Sequence, residues 1–305
     1  MTTPPALLIA GHGTRDEAGA EAFRDFVREL GRRHPELPVA GGFIELSPPP
    51  LGDAVTELVE RGVRRFAAVP LMLVSAGHAK GDIPAALSRE KERHPGISYT
   101  YGRPLGPHPA LLRVLERRLA EAVGPSWDPS EVTVLLVGRG STDPDANAEV
   151  FKAARLLWEG RGYAAVETAF VSLAEPDVPG GLDRCVRLGA RRVVVLPYFL
   201  FTGILPDRVR HQTEEWAAAH PEAEVRSADV IGPEPELLDL VWERYEEAVK
   251  GDLRMNCDSC VYRIALPGFE DKVGLPQQPH FHPDDDGDHH HGHHHGHGHA
   301  HSHAH

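Results

Sequence analysis

The chain contains the stretch Leu8-Ile9-Ala10-Gly11-His12-Gly13-Thr14, which returns 127 positions later as Leu135-Leu136-Val137-Gly138-Arg139-Gly140-Ser141. Each copy is an apolar run that ends in a small, glycine-containing turn, as a buried strand of a parallel sheet does. The copies differ at one chemically important position, where His12 is replaced by Arg139. The repeat therefore predicts a duplicated domain in which one half carries chemistry that the other has lost.

The same spacing holds along the rest of both copies. Phe43–Leu46 aligns with Phe170–Leu173, and His94-Pro95 aligns with His220-Pro221 after one deletion. We therefore expect an N-terminal domain at residues 1–125, a degenerate copy at 131–251, and a separate C-terminal segment at 252–305.

Composition excludes several classes of protein. The 305 residues are 41% hydrophobic and 25% charged, as in ordinary globular proteins, and contain no apolar run long enough for a membrane span. A net charge of −13 argues against nucleic acid as a partner. The N-terminus lacks the pattern of a signal peptide, and three cysteines do not suggest a disulfide framework, so we expect a cytoplasmic protein.

Apolar runs alternate with segments of helical periodicity, which predicts a parallel sheet covered by helices on both faces. We expect two tandem flavodoxin-like α/β domains, each with a four-stranded parallel sheet. The predicted strands are Ala6–Ala10, Val39–Ile44, Phe66–Leu73, Ile97–Tyr101, Val132–Val137, Val166–Val171, Val193–Leu200 and Ala223–Ala228.

Three polar side chains follow successive strands of the first copy. His12 follows the first strand, Glu45 ends the second, and His78 lies in the loop after the third. Ligands of open parallel sheets bind outside the carboxyl ends of the strands, so these groups are expected to converge. Their counterparts, Arg139, Ser172 and about Leu205, could not form the same site.

Two imidazoles and a carboxylate suit a divalent ion such as Co²⁺, Ni²⁺, Fe²⁺ or Zn²⁺. The same groups could accept protons near neutral pH, and singly each could be a loop or capping residue. The chain has neither a P-loop nor a dinucleotide-binding glycine motif after a strand, so we expect no nucleotide.

The C-terminal segment has a different composition. Thirteen of the 20 histidines lie between His280 and His305, among Gly, Ala and Ser, so we expect this part to be disordered without metal. A purification tag would explain such a tract, but its length and interruptions favour a native metal-binding tail. The candidate tail ligands are His289, His290, His291, His293, His294 and His295.

These motifs together resemble the class II chelatases that insert metals into tetrapyrroles, and in particular the long form of sirohydrochlorin cobaltochelatase. The resemblance rests on the motif around His12, the Phe43–Leu46 segment, Pro70–Leu73 running into Gly77-His78, the duplication, Met255–Cys260 and the histidine-rich end. It covers essentially the whole chain.

The resemblance implies insertion of Co²⁺ into sirohydrochlorin, without ATP, on the oxygen-independent route to cobalamin. His12 and His78 would hold the ion and then take pyrrole protons, while Glu45 would orient or deprotonate. Sirohydrochlorin is a polycarboxylate, so a basic wall is expected. We predict that Arg139 binds carboxylates of the substrate. Weaker candidates for substrate binding are Arg15, Lys80 and Arg208, together with Ser75 in the loop of His78.

The resemblance also implies a redox-active Fe–S cluster at Cys257 and Cys260. An all-cysteine cluster usually needs four thiolates, so one chain would need other ligands or a homodimer joined through this segment. Cys185 is expected to be buried in a helix and does not complete the set. A thiol–disulfide pair or a Zn²⁺ site shared with tail histidines are the alternatives.

Two other functions remain open from the sequence. The same reaction with Fe²⁺ would make the protein a ferrochelatase, whereas the tail alone would suit a metal-storage protein or metallochaperone. A storage protein has no need for His12, Glu45 and His78 at one sheet edge, which favours the enzyme.

Overall fold

A computed structural model of the chain describes residues 4–251, 265, 267–268 and 270–273. It contains eight strands and eight α-helices within residues 4–251. The strands are β1 (Ala6–Gly11), β2 (Val39–Phe43), β3 (Arg65–Pro70), β4 (Ser98–Tyr101), β5 (Val132–Gly138), β6 (Ala165–Phe170), β7 (Arg192–Pro197) and β8 (Glu224–Ser227). The helices are α1 (Glu17–Arg33), α2 (Leu51–Glu60), α3 (Ile83–Arg93), α4 (Pro109–Val123), α5 (Pro144–Trp158), α6 (Val178–Arg187), α7 (Ile204–Ala219) and α8 (Pro235–Lys250).

Two four-stranded parallel sheets confirm the predicted fold class. The strand order is β2-β1-β3-β4 in the first sheet and β6-β5-β7-β8 in the second, so the two halves have the same topology. β1 and β5 are buried along their whole length, as expected for central strands covered on both faces. Since β1 lies between β2 and β3, the loops after these three strands meet at one edge.

Two strands end three residues before the predicted end, whereas the bounds of the others differ from the prediction by one residue at one end or both. Phe66–Leu73 was expected as one strand, but β3 ends at Pro70, and the predicted Val193–Leu200 ends at Pro197 in β7. Proline has no N–H for the sheet, and the chain turns away after it in both halves. The apolar residues beyond each proline line a cleft between the halves instead of extending the sheet.

The last helix of each half packs on the sheet of the other half. Helix α4 contacts β7 and β8, whereas α8 contacts β3 and β4. The apolar face predicted for α4, including Leu111, Leu115 and Leu119, is fully buried in a core cluster that contains residues of both halves. The two halves therefore share one core cluster, and each also has a cluster of its own. The domain boundaries at 125 and 131 stay predictions from the sequence repeat.

A matched pair of arginines fixes the exchanged helices. In α8, Arg244 is fully buried and donates to the carbonyl oxygens of Pro104 (3.2 Å) and Leu105 (3.0 Å). In α4, Arg118 donates in the same way to the carbonyl oxygens of Val230 and Ile231, both at 3.0 Å. Arg244 also pairs with Glu247 of its own helix at 3.1 Å. Each half therefore satisfies backbone carbonyls of the other.

The predicted features of the C-terminus lie outside the described residues. These are the Cys257/Cys260 motif with its Fe–S cluster and homodimer, and the histidine tail from His289 to His295, all of which remain predictions. Cys185 lies in α6 and is buried, as expected. Within the described part of the chain, no helix is both long and apolar enough to span a membrane.

Candidate functional site

Three potential metal ligands meet at the carboxyl edge of the first sheet. One ligand atom from each of His12, Glu45 and His78 lies within 4.8 Å of the other two. The imidazole rings of His12 and His78 are 4.2 Å apart between centroids and nearly perpendicular, and Nε2 of His12 is 3.6 Å from Oε1 of Glu45. All three are partly exposed. This arrangement can bind one divalent cation from three sides.

Close backbone packing brings Glu45 to His12. Gly13 has a φ of 103°, and a Cβ atom there would lie 1.8 Å from the carbonyl oxygen of Glu45. The amide of Glu45 in turn donates to the carbonyl of His12 at 3.2 Å. Gly140 has the same relation to Ser172, with a distance of 1.7 Å. Glycine is therefore required after His12 and at the equivalent place in the second half.

The surroundings of His12 favour its neutral, ligating form. Nδ1 lies 3.1 Å from the carbonyl oxygen of Gly13, which can only accept, so Nδ1 carries the proton and Nε2 keeps a lone pair. Burial lowers the pKa of His12 below its ordinary value, and the Arg139 guanidinium and His78 lower it further, against an opposing effect of Glu45. The imidazole is therefore neutral at neutral pH, as a metal ligand must be.

His78 begins a short π-helical turn, His78–Asp82, that leads into α3. Its buried Nδ1 lies 2.7 Å from Oδ2 of Asp82, at an angle that does not make a hydrogen bond. The hydroxyl of Tyr101 donates to the carbonyl oxygen of Ala79 at 2.7 Å and holds the turn from β4. Such π-helical turns occur often at functional sites, where they redirect one side chain.

The second half contributes Arg139 rather than another ligand. Its Nη1 lies 3.2 Å from Nε2 of His12, on the atom that would bind a metal. Ser172 and Leu205, the other counterparts, bring no metal ligand to the cleft. Arg139 of the second half therefore faces His12 of the first half, and its positive charge would oppose a cation bound at Nε2 of His12.

The other predicted substrate-binding residues are not all brought together. Arg15 and Arg139 line the cleft, whereas Ser75, Lys80 and Arg208 lie outside its lining. The ammonium group of Lys80 contacts Asp143 at 2.6 Å and Asp145 at 3.0 Å, both in the second half. These residues remain predicted contacts of the substrate, and Lys80 also joins the loop of His78 to α5.

Sequence reasoning missed Glu149 in α5. Its carboxylate accepts the N–H of Ser75 at 2.7 Å, so a side chain of the second half holds the loop that carries His78. Burial raises the pKa of Glu149, which the Ser75 N–H partly opposes. The sequence signal was only a carboxylate on the buried side of a helix, because the partner is a backbone group 74 residues away.

His12 and His78 line a cleft of about 610 Å³ between the halves, whereas Glu45 lies outside its lining. Its walls are largely apolar. They include Leu46, Leu71, Met72 and Leu73 from the first half and Leu173, Tyr198, Phe199, Phe201, Ile204 and Leu205 from the second. Clefts of this size with a largely apolar lining are typical of sites for small organic ligands.

The CbiX family model matches residues 6–122 and 133–248, one match in each half. The chain belongs to the CbiX family. Among solved structures, SirB from Bacillus subtilis with Fe³⁺ is similar to this chain, with a TM-score of 0.70 and 27% sequence identity. That comparison covers 82% of this chain and 97% of SirB.

Two relatives differ in the metal that their names state. A sirohydrochlorin cobaltochelatase from Priestia megaterium is 39% identical over 265 residues, which are 86% of this chain and 85% of the relative. A sirohydrochlorin ferrochelatase from the same organism is 35% identical over 212 residues, 69% of this chain and 78% of the relative. Membership of the CbiX family therefore leaves the metal undecided between cobalt and iron.

Proposed function

We propose that this CbiX-family protein is a sirohydrochlorin chelatase that inserts Co²⁺ into the macrocycle during oxygen-independent cobalamin synthesis. One observation carries the proposal: His12, Glu45 and His78 bring their ligand atoms within 4.8 Å of one another, and His12 and His78 line an apolar cleft. The similarity to both cobalt- and iron-inserting relatives supports the reaction class.

The metal ion is a substrate, and the residues act on it in sequence. His12 presents the lone pair of Nε2 and, with His78 and Glu45, replaces water ligands of the incoming ion. Each metallation releases two pyrrole protons, and His12 and Glu45 can accept them as the ring nitrogens take the metal. No electron transfer and no nucleotide is required.

Arg139 has two positions in this proposal. Without metal it contacts Nε2 of His12 at 3.2 Å, and repulsion by the bound dication moves the guanidinium away. The displaced guanidinium can then pair with a carboxylate of sirohydrochlorin. Metal binding would thereby prepare the wall that receives the macrocycle, and Arg15 is the other cationic group of the lining.

The test is metal insertion by purified protein, followed by the change in absorbance of sirohydrochlorin. We expect His12→Ala and His78→Ala each to lose at least about 100-fold in kcat/KM, since removal of one ligand leaves the ion poorly held. His211→Ala is the matched control, because His211 is exposed and pairs with Glu215 on the surface. Normal insertion by both cleft variants would refute the site.

The same assay decides the metal. Co²⁺, Fe²⁺ and Ni²⁺ are supplied in turn under anaerobic conditions, and we expect the highest kcat/KM with Co²⁺. A preference for Fe²⁺ would make the protein a ferrochelatase with the same site. Metal binding without any insertion would favour the storage or metallochaperone function.

A further inference from the structure

Two leucines occupy an unfavourable backbone conformation at equivalent places in the two halves. Leu46 has a φ of 66° and Leu173 a φ of 62°, and they are the non-glycine residues with positive φ in the described part of the chain. In each case the amide of the residue after the leucine donates to the carbonyl of the residue before it and closes a tight turn. Ser47 N–H donates to the carbonyl of Glu45, and Ala174 N–H to that of Ser172, both at 2.8 Å.

Such a turn is ordinarily occupied by glycine or asparagine, because a branched apolar side chain is strained at positive φ. Burial does not compensate for the strain here. Leu46 is 50% exposed and Leu173 is 60% exposed, although both are large apolar side chains. Neither local conformation nor core packing therefore explains why leucine stands at both positions.

The position of these leucines offers a reason. Both line the cleft, one from each half. Leu46 directly follows Glu45, and Leu173 directly follows its counterpart Ser172. The neighbouring residues have diverged, since Glu45 is matched by Ser172, yet both halves have leucine at this turn. The leucine is therefore present in both walls of the cleft, whereas only the first half provides metal ligands. Its role must be separate from metal binding.

We propose that Leu46 and Leu173 form a pair of apolar contacts that grip the tetrapyrrole macrocycle from the two halves. The inference rests on the proposed function, because it takes the macrocycle as the occupant of the cleft. A macrocycle has broad apolar faces, and contact with the two leucines would remove their exposed surface from water. The strain of the two turns is then retained because it holds these side chains in the cleft.

The pair predicts an unusual combination of effects on substitution. Leu46→Asn and Leu173→Asn place a residue that tolerates positive φ in each turn, so the melting temperature should stay the same or rise. Binding of metal-free sirohydrochlorin should weaken about tenfold for each single variant, as expected when one apolar side chain no longer covers the ring. Leu46→Met keeps an apolar side chain and should retain most of the affinity.

The experiment is a fluorescence titration of full-length protein with metal-free sirohydrochlorin, together with thermal unfolding of each variant. Leu188→Asn is the matched control, since Leu188 is 67% exposed and lies outside the lining of the cleft. It should bind as the unsubstituted protein does.

Equal affinity of the unsubstituted protein and both asparagine variants would overturn the inference and leave the chelatase proposal intact. A marked fall in melting temperature in the asparagine variants would also overturn it, because the leucines would then be packing residues. Absence of binding by the unsubstituted protein would remove the proposed function and, with it, the proposed occupant.

Discussion

Replacing Arg244 tests whether the exchanged helices hold the two halves together. The guanidinium is fully buried and donates to the carbonyl oxygens of Pro104 and Leu105 and to Glu247. In Arg244→Met the aliphatic packing remains, but both carbonyls lose a donor, one at the buried Leu105 and one at the half-buried Pro104. Glu247 keeps Arg103, whose Nη2 is 2.8 Å from its Oε1, so no carboxylate is left unpaired.

The expected loss follows from these contacts. An unsatisfied buried polar group costs about 1–3 kcal/mol, and breaking a buried charged pair about 3–5 kcal/mol. Because Glu247 retains a partner, we expect the free energy of unfolding to fall by about 3 kcal/mol. Urea unfolding followed by circular dichroism measures the loss.

Arg118→Met is the matched control for this prediction. Arg118 makes the equivalent two hydrogen bonds from α4 to the carbonyls of Val230 and Ile231, but its side chain is 16% exposed. Water can therefore donate to these carbonyls when the guanidinium is removed. We expect a loss of about 1–2 kcal/mol. A loss below 1 kcal/mol for Arg244→Met, or one smaller than for Arg118→Met, would refute the view that buried carbonyl pairing fixes the exchange.

Three further predictions concern the site. Because burial and the Arg139 guanidinium lower the pKa of His12, the acidic limb of the pH profile of kcat/KM should lie below pH 6.5. Arg139→Ala removes one lowering influence and should move that limb to higher pH, and an unchanged limb would contradict the assignment to His12. Glu149→Leu should raise the KM for the metal about tenfold, whereas Glu149→Gln, which can still accept the Ser75 N–H, should stay near normal; equal values in the two variants would exclude this contact. Gly13→Ala should abolish insertion, because its Cβ would lie 1.8 Å from a backbone carbonyl oxygen, and full activity would show that the turn can open.

The fold could be predicted because its signals are local or repeated. Alternation of apolar runs and helical segments gave the strand–helix order, and the repeat showed that the two sheets would match. The convergence of His12, Glu45 and His78 followed from one rule about strand ends together with the loss of these residues in the second copy. The strand order, with β1 in the centre, places the three loops side by side.

The exchange of α4 and α8 could not be predicted in the same way. The apolar face of α4 is the same whether it covers its own sheet or the other one, so the sequence pattern does not distinguish the two arrangements. In the structure, the contacts of α4 and α8 with the opposite sheets and the pairing of Arg118 and Arg244 with distant carbonyls do so. Glu149 was missed for a related reason. Its partner is the main-chain N–H of Ser75, and any residue type except proline has such a group, so the sequence does not identify the partner.

The charges of the protein bear on how the cleft would bind a polycarboxylate such as sirohydrochlorin. Among the described residues lining the cleft, the cationic side chains are Arg15 and Arg139, and Asp82 adds a negative charge. Two guanidinium groups cannot match every carboxylate of sirohydrochlorin, and the net charge of −13 opposes its approach. Under the proposed function, apolar contact with the ring faces would therefore supply most of the affinity, and carboxylates without a guanidinium partner would remain in solvent. Under the proposed function the second half would contribute to the site even without a metal ligand, because Leu173 and Arg139 would contact the substrate and Glu149 holds the loop of His78.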